Sequence, residues 1–119
     1  MGNVVELRRN KIFTLKEARE LMPVVRKITQ EAVEHMDLLK AKIEHLDPDP
    51  VHRGPYEEQL AAIVNRWSLK IAKLGCEPKG LWLVDFDNGE GYFCWRHPEP
   101  ELNYFHSYEG AYQGRTPIL

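Results

Sequence analysis

The sequence has little excess of either charge, few cysteines and no long hydrophobic run. Its 119 residues carry 16 Lys and Arg against 18 Asp and Glu, a formal net charge of −2. This balance argues against a nucleic-acid partner, because proteins that hold nucleic acid usually show a basic excess or stripe. No apolar stretch approaches the ~20 residues needed to cross a bilayer, and no signal-peptide pattern opens the chain. We therefore expect no membrane partner.

Cysteine usage and known catalytic motifs are equally sparse. Cys76 and Cys94 form no CxxC pair and no metal-ligand spacing, so we expect a reduced, cytoplasmic protein. The chain contains no HExxH, GxSxG or phosphate-loop pattern. Glu31 and His35 are spaced to hold a metal ion on one helix face, but a solvated charged face is the commoner outcome. No catalytic residue is assigned on this basis.

A long amphipathic helix is what the sequence does contain. Between Thr14 and Leu46 apolar residues recur every three or four positions, which places them on one face. Thr14 and Glu17 fit a capping box at its start. Pro23 interrupts the pattern and predicts a kink, or a short helix over 15–21 followed by a longer one.

A second, shorter helix follows a proline-rich connection. Pro55 stands where its first helical residue belongs, and Gly75 is its natural left-handed stop. The short connection predicts that the two helices form an antiparallel hairpin. The second helix is too short to cover the whole first one, so we expect the stripe Leu21–Ile28 to need another partner.

The last third of the chain changes to the two-residue period of β-strands. Three segments qualify as strands, namely 81–86, 92–96 and 102–108. Asn88-Gly89 predicts a two-residue hairpin turn between the first two. With that turn Trp82 faces Trp95, and Val84 faces Phe93, on the side of the sheet that packs on the helices.

The predicted fold class is α+β. A long antiparallel helical hairpin, kinked near Pro23, packs on a three-stranded antiparallel β-meander. The length suits a single domain over 1–119. Its parts are an N-terminal arm at 1–13, which would supply an edge strand, the hairpin at 14–75, the meander at 80–108 and a tail at 109–119.

Polar side chains gather on the other face of the predicted sheet. The candidate ligand-binding residues are Asp85, Tyr92, Arg96, Tyr104, His106, Glu109 and Arg115. Asp85 and His106, the candidate metal ligands, would lie level on the outer strands and flank Tyr92, with backbones roughly 10 Å apart. Arg115 would hold an anion, delivered by a glycine-containing run.

These residues also have structural interpretations. An Asp before an Asn-Gly turn often bonds the turn, and a lone His on a strand is more often a satisfied structural residue. Cys94 shares the polar face but fits a small buried hydrophobe. Arg115 would equally well tie down the C-terminal tail.

Four stretches of the sequence resemble one protein family. They are KIFTLKEARELMPVVRKI, GLWLVDF, CWRHPEPEL and FHSYEGAYQGRTPI. Together they resemble a family of small bacterial proteins known as domain of unknown function 2203. The resemblance implies a helical pair followed by a sheet, and it implies no activity. The family's tail pattern maps onto His106, Tyr112, Gly114 and Arg115, with Ala111 where the family usually shows glycine.

Three functions remain open from the sequence. The first is a non-enzymatic interaction module that self-associates through its long helix, as a homodimer or with a partner protein. The second is a metal- or anion-binding protein using the polar face around His106 and Arg115. The third is a small enzyme at that face, with His106 as acid or base. We favour the first, expect no cofactor, and keep a divalent metal ion as the alternative.

Overall fold

Two helices and one antiparallel sheet form the part of the chain that the computed structural model describes, residues 11–45 and 50–119. The predicted α+β class is confirmed. The helices are α1, Leu15–Glu44, and α2, Pro50–Lys73. The strands are β1, Glu77–Pro78, β2, Leu83–Asp87, β3, Gly91–Arg96, β4, Tyr104–Ser107, and β5, Thr116–Pro117, and they neighbour one another in chain order. A 3-10 turn at Tyr112–Gly114 precedes β5.

The first helix begins where its capping box predicts. The Glu17 amide donates to Thr14 Oγ1 at 3.1 Å, and the Thr14 amide donates to Glu17 Oε1 at 2.8 Å. The helix then continues without interruption past Pro23, so the predicted alternative of two separate helices is wrong. Pro23 is exposed, while Met22 and Val25 beside it are buried. Packing of the buried face keeps the helix in one piece although the proline removes one backbone bond.

The second helix starts earlier than predicted. It begins at Pro50, and Pro55 lies more than a turn inside it, where the ring removes one backbone bond without ending the helix. Its predicted stop is confirmed, since Gly75 has φ +89°. The Cys76 amide donates to the Ile71 carbonyl at 3.3 Å, which satisfies an orphan carbonyl of the last turn.

The two helices pack on each other through a buried hydrogen bond and a small apolar cluster. Trp67 Nε1 donates to Thr29 Oγ1 at 2.9 Å. Met36 and Leu39 of α1 cluster with Ile63 of α2. Neither helix in the described part of the chain is long and apolar enough to cross a bilayer.

Replacing Thr29 with valine tests this helix contact. The change preserves shape but leaves the Trp67 indole N–H buried without its acceptor, so the free energy of unfolding should fall by about 1–3 kcal/mol. Urea denaturation measures the loss. In a Trp67→Phe background the donor is already gone, and there the same substitution should cost far less. Equal losses in the two backgrounds would show that the hydrogen bond carries none of the effect.

The sheet has five strands rather than the predicted three. The two additional strands, β1 and β5, are the edges of the sheet and contain two residues each. Each contains a proline, Pro78 or Pro117. Proline lacks an N–H, and edge strands tolerate it because their outer side has no neighbouring strand that needs a donor. Segments this short have no periodicity to detect. The third predicted strand, 102–108, is shortened to Tyr104–Ser107.

The predicted register between β2 and β3 is wrong by two residues. Val84 pairs with Trp95, and Phe86 pairs with Phe93. The cause is the side chain of Asn88, whose Oδ1 accepts the amides of Glu90 at 2.9 Å and Gly91 at 2.8 Å. The Asn88 amide donates to the Gly91 carbonyl at 2.9 Å, so these two residues form the last pair of the hairpin. The two-residue turn therefore lies one position later than predicted, at residues 89–90. Because side chains alternate, a shift of two leaves each one on its predicted face.

Trp82 is the residue that this register displaces. It precedes β2, has φ +70°, and is half-buried. Its ring packs edge-on against Trp67, with centroids 5.0 Å apart, instead of facing Trp95.

The core lies between the inner face of the sheet and both helices. Its buried members include Val84, Phe86 and Trp95 from the sheet and Met22 and Val25 from α1. The stripe that the sequence leaves uncovered, Leu21–Ile28, is therefore packed within the chain, with Leu21 and Ile28 partly buried against this core.

The predicted edge strand of the N-terminal arm falls mostly outside the described residues, since these begin at Lys11. Residues 11–13 form no strand. The Phe13 amide nevertheless donates to the Asp87 carbonyl at 2.7 Å, and its ring is buried in edge contact with Phe86, with centroids 5.4 Å apart. The arm is thus fixed to β2 at this residue.

Candidate functional site

Three central strands bring a carboxylate, a thiol and an imidazole together on the polar face. Asp85 on β2 pairs with Cys94 on β3, while His106 on β4 pairs with Tyr92. Asp85 and His106 are therefore diagonal across β3 and not level as predicted. His106 Nε2 lies 3.1 Å from Asp85 Oδ2, and one ligand atom from each of Asp85, Cys94 and His106 lies within 4.8 Å of the others. We call these three residues the triad.

The triad is shielded from solvent. Asp85 is 4% exposed, Cys94 1% and His106 5%. Every buried side-chain nitrogen or oxygen among the described residues has a hydrogen-bond partner. The arrangement is consequently a buried polar cluster and not a set of solvated surface groups.

The imidazole of His106 is held in a defined orientation. Its Nδ1 lies 2.8 Å from the Ser107 carbonyl oxygen. A carbonyl only accepts, so Nδ1 carries a proton, and Nε2 faces Asp85. Histidines that bind a metal ion through one ring nitrogen usually donate a hydrogen bond from the other ring N–H to a carbonyl or carboxylate, as here.

Burial sets the protonation of the thiol and shifts that of the carboxylate. It raises the pKa of Asp85 above its usual value, which the nearby His106 opposes. Burial, with the adjacent Asp85 charge, raises the pKa of the Cys94 thiol to about 12. A thiol of that pKa is protonated at neutral pH and is a poor nucleophile. A metal cation bound beside Cys94 would lower the pKa of the thiol and favour the thiolate.

The triad forms the floor of a pocket of about 420 Å³. Lys79, Tyr92 and Tyr108 line it together with residues 110–113. Tyr92 and Tyr108 meet edge to face with ring centroids 5.2 Å apart, so one wall is largely aromatic. The polar cluster thus opens onto a space that a small molecule can occupy.

A family model described as an uncharacterized conserved protein, DUF2203, matches residues 11–118. The chain belongs to the DUF2203 family. The resemblance found in the sequence is thereby confirmed, and the match includes the whole triad. No curated protein and no solved structure matches the chain. DUF2203 membership assigns no chemistry, so any function must be argued from the site.

Arg115 is not among the residues that line the pocket of this DUF2203 protein, although it lies beside Cys94 and Tyr112, which do. Both its terminal nitrogens bond the Glu99 carboxylate, with Nη1 2.9 Å from Oε1. Its guanidinium also lies 3.9 Å from the ring centre of Tyr104 and 4.3 Å from that of Tyr112. The bidentate edge that would hold an anion is occupied, which favours the alternative that Arg115 ties down the tail.

The other predicted site residues divide into two groups. Tyr92 lines the pocket, whereas Tyr104 stacks under Arg115. Arg96 and Glu109 are exposed and lie outside the pocket lining, and Arg96 Nη1 reaches Tyr112 Oη at 3.5 Å. The structure therefore brings together Asp85, His106 and Tyr92 from the predicted set.

Sequence reasoning missed several residues of the pocket. Lys79 and Gln113 line it but belong to segments without strand periodicity. Tyr108 ends the predicted strand 102–108, and its alternation with His106 indicates the polar face. Cys94 lies on the face that the sequence predicts, but it is a ligand candidate and not only a small buried hydrophobe. The available indication was its alternation with Tyr92 on β3, which places both side chains on one face.

The pair Glu31 and His35 lies at a second, smaller cavity. This cavity of about 190 Å³ lies between the helices and is also lined by Arg66 and Lys70. Within residues 11–45 and 50–119, the triad is the group of three potential ligands close enough to share one metal ion. Glu31 and His35 have no third ligand there.

Proposed function

We propose that this protein binds a divalent transition-metal ion, with Zn²⁺ as the best match, through Asp85, Cys94 and His106. The observation that carries the proposal is the convergence of three different buried ligand types within 4.8 Å. The orientation of His106 by the Ser107 carbonyl supports it independently.

The ligand types and spacing suit zinc. Zinc binds imidazole and carboxylate at ~2.0–2.2 Å and thiolate at ~2.3 Å, which separates ligand atoms in a tetrahedron by roughly 3.3–3.6 Å. His106 Nε2 and Asp85 Oδ2 are 3.1 Å apart, close to that separation. Binding would remove the proton from the Cys94 thiol, because the thiolate is the ligand.

Three protein ligands leave one tetrahedral position open. Structural zinc sites usually fill all four positions with side chains, whereas sites that act on small molecules keep one free. Here the triad faces the pocket of about 420 Å³, so the fourth position would point into it. We therefore propose an open metal site and not a structural one.

Metal binding by variants of the proposed ligands tests the proposal. Isothermal titration of metal-free protein with Zn²⁺, with elemental analysis, should give one ion per chain. Cys94→Ala or His106→Ala should weaken binding by more than about 100-fold, because loss of a ligand should exceed the usual effect of losing its supporting partner. Loading with Co²⁺ should produce a thiolate charge-transfer band that Cys94→Ala removes.

Cys76 supplies the matched control. It is also a free, buried cysteine, and burial raises its pKa to about 12 as well, but it packs in the hydrophobic core. Cys76→Ala should retain full metal stoichiometry and the cobalt band. A wild-type protein that binds no metal at saturating Zn²⁺ would show instead that Asp85 and His106 form a structural ion pair.

The sequence-based prediction of a homodimer has lost its main support. It depended on an uncovered stripe at Leu21–Ile28, and that stripe packs on the core of the same chain. The oligomeric state stays a prediction that light scattering can test. We base the proposed function on the triad instead.

A further inference from the structure

We infer that the open position of the metal site receives a carboxylate oxygen from a small molecule whose apolar body lies in the pocket. This inference rests on the proposed metal site and names the ligand class that the site would take. The ligand class follows from which hydrogen-bonding groups in and beside the pocket already have a protein partner and which do not.

The carboxylates beside the pocket are engaged by protein donors. Glu77 Oε1 lies 3.1 Å from Lys79 Nζ and accepts from Tyr92 Oη at 3.4 Å. Asp87 Oδ1 accepts from Tyr108 Oη at 2.6 Å and from the Gly89 amide at 2.9 Å. A cationic ligand would therefore compete with these donors for Glu77 and Asp87, neither of which lines the pocket, while Asp85 would be bound to the metal ion.

The charged group of the wall with remaining capacity is a donor. The Lys79 ammonium has three N–H bonds, and its contact with Glu77 uses one. Lys79 is also the one Lys or Arg among the described residues that line the pocket. A metal ion in the triad adds a Lewis acid, so both the floor and the wall favour an oxygen acceptor.

The remaining surface of the pocket selects for an apolar body. Leu83 and Ala111 line it beside the aromatic wall of Tyr92 and Tyr108. The volume of about 420 Å³ lies within the range of small-molecule sites. A flat aromatic carboxylate places its head on the metal and Lys79 and its ring against the tyrosines.

Benzoate and benzylammonium are matched probes for this inference. They share the phenyl ring and differ in the charge of the head group. Each is titrated into Co²⁺-loaded protein at constant ionic strength, with the visible absorption of the cobalt as the readout. Benzoate should change the spectrum saturably, and benzylammonium should leave it unchanged.

Lys79 variants test the contribution of the pocket wall while all three metal ligands stay in place. Lys79→Met should weaken benzoate binding about tenfold or more, because it removes a charge-assisted donor, while cobalt stoichiometry stays at one per chain. Lys79→Arg, which keeps the cation, should retain most of the affinity. Lys40→Met is the control, since Lys40 is exposed on α1 and lies outside the pocket lining.

The outcomes separate this inference from the metal proposal. If cobalt binds but benzoate has no effect, or both probes act equally, the carboxylate assignment is wrong and the metal site stands. Unchanged benzoate affinity in Lys79→Met would also overturn the recognition argued here. Failure of cobalt to bind the wild-type protein overturns the metal site and, with it, this inference.

Discussion

Replacing Trp95 with alanine should lower the free energy of unfolding by about 3–5 kcal/mol. Trp95 is 1% exposed and lies at the centre of the core between the sheet and the helices. Its Nε1 also donates to the Glu99 carbonyl at 2.8 Å. Truncation would remove the buried ring and leave both a cavity and an unpaired acceptor. Thermal or urea denaturation followed by circular dichroism measures the loss.

Two further variants make this prediction specific. Trp95→Phe keeps most of the ring but loses the hydrogen bond, so it should cost less than the alanine variant. Trp82→Ala should also cost less, because Trp82 is half-buried and precedes β2. An equal loss for Trp82→Ala and Trp95→Ala would contradict the observed register, in which Val84 faces Trp95.

Replacing Gly91 with alanine should destabilise the fold and weaken zinc binding at the proposed metal site. A Cβ at Gly91 would meet the backbone carbonyl of His106 well inside contact distance and would lie 3.1 Å from the Phe105 ring. Backbone in a paired strand cannot rotate away like a flexible side chain, so β4 must move from β3. We expect a loss of about 3 kcal/mol, the upper end for overpacking. Zinc affinity should fall at least about tenfold, because His106 moves with the strand.

Gly54 provides the control for this substitution. It lies within α2, and an added Cβ there meets no atom within 4 Å. Gly54→Ala should therefore stabilise the protein by about 0.5–1 kcal/mol, since alanine favours a helix interior, and should leave zinc affinity unchanged. Equal stability of the Gly91→Ala variant and the wild type would show that β3 and β4 are less closely paired than the structure indicates.

Local chemistry explains the parts of the fold that could be predicted. The start of α1 depends on Thr14 and Glu17, three positions apart, and the end of α2 depends on Gly75. Alternation along β2 and β3 places Asp85 and Cys94 on one face and Val84 on the other. These features require only neighbours in the sequence, and each is present in the structure.

The parts that could not be predicted depend on contacts between distant residues. The two-residue strands at Pro78 and Pro117 are ordered only because they pair with longer strands. Arg115 pairs with Glu99, sixteen residues away, and this pairing occupies the guanidinium edge that the sequence predicts for an anion. None of these partners is indicated by periodicity or by spacing.

For the candidate site, the sequence by itself determined which side chains share the polar face, because the alternation of a strand is fixed by its backbone. Only the tertiary structure decided that Asp85 and His106 touch across Cys94 and that all three are buried. Strand register sets those distances, and it arises from long-range pairing. The metal site stays a proposal built on that geometry, since burial turns a set of common surface residues into three ligands that can share one ion.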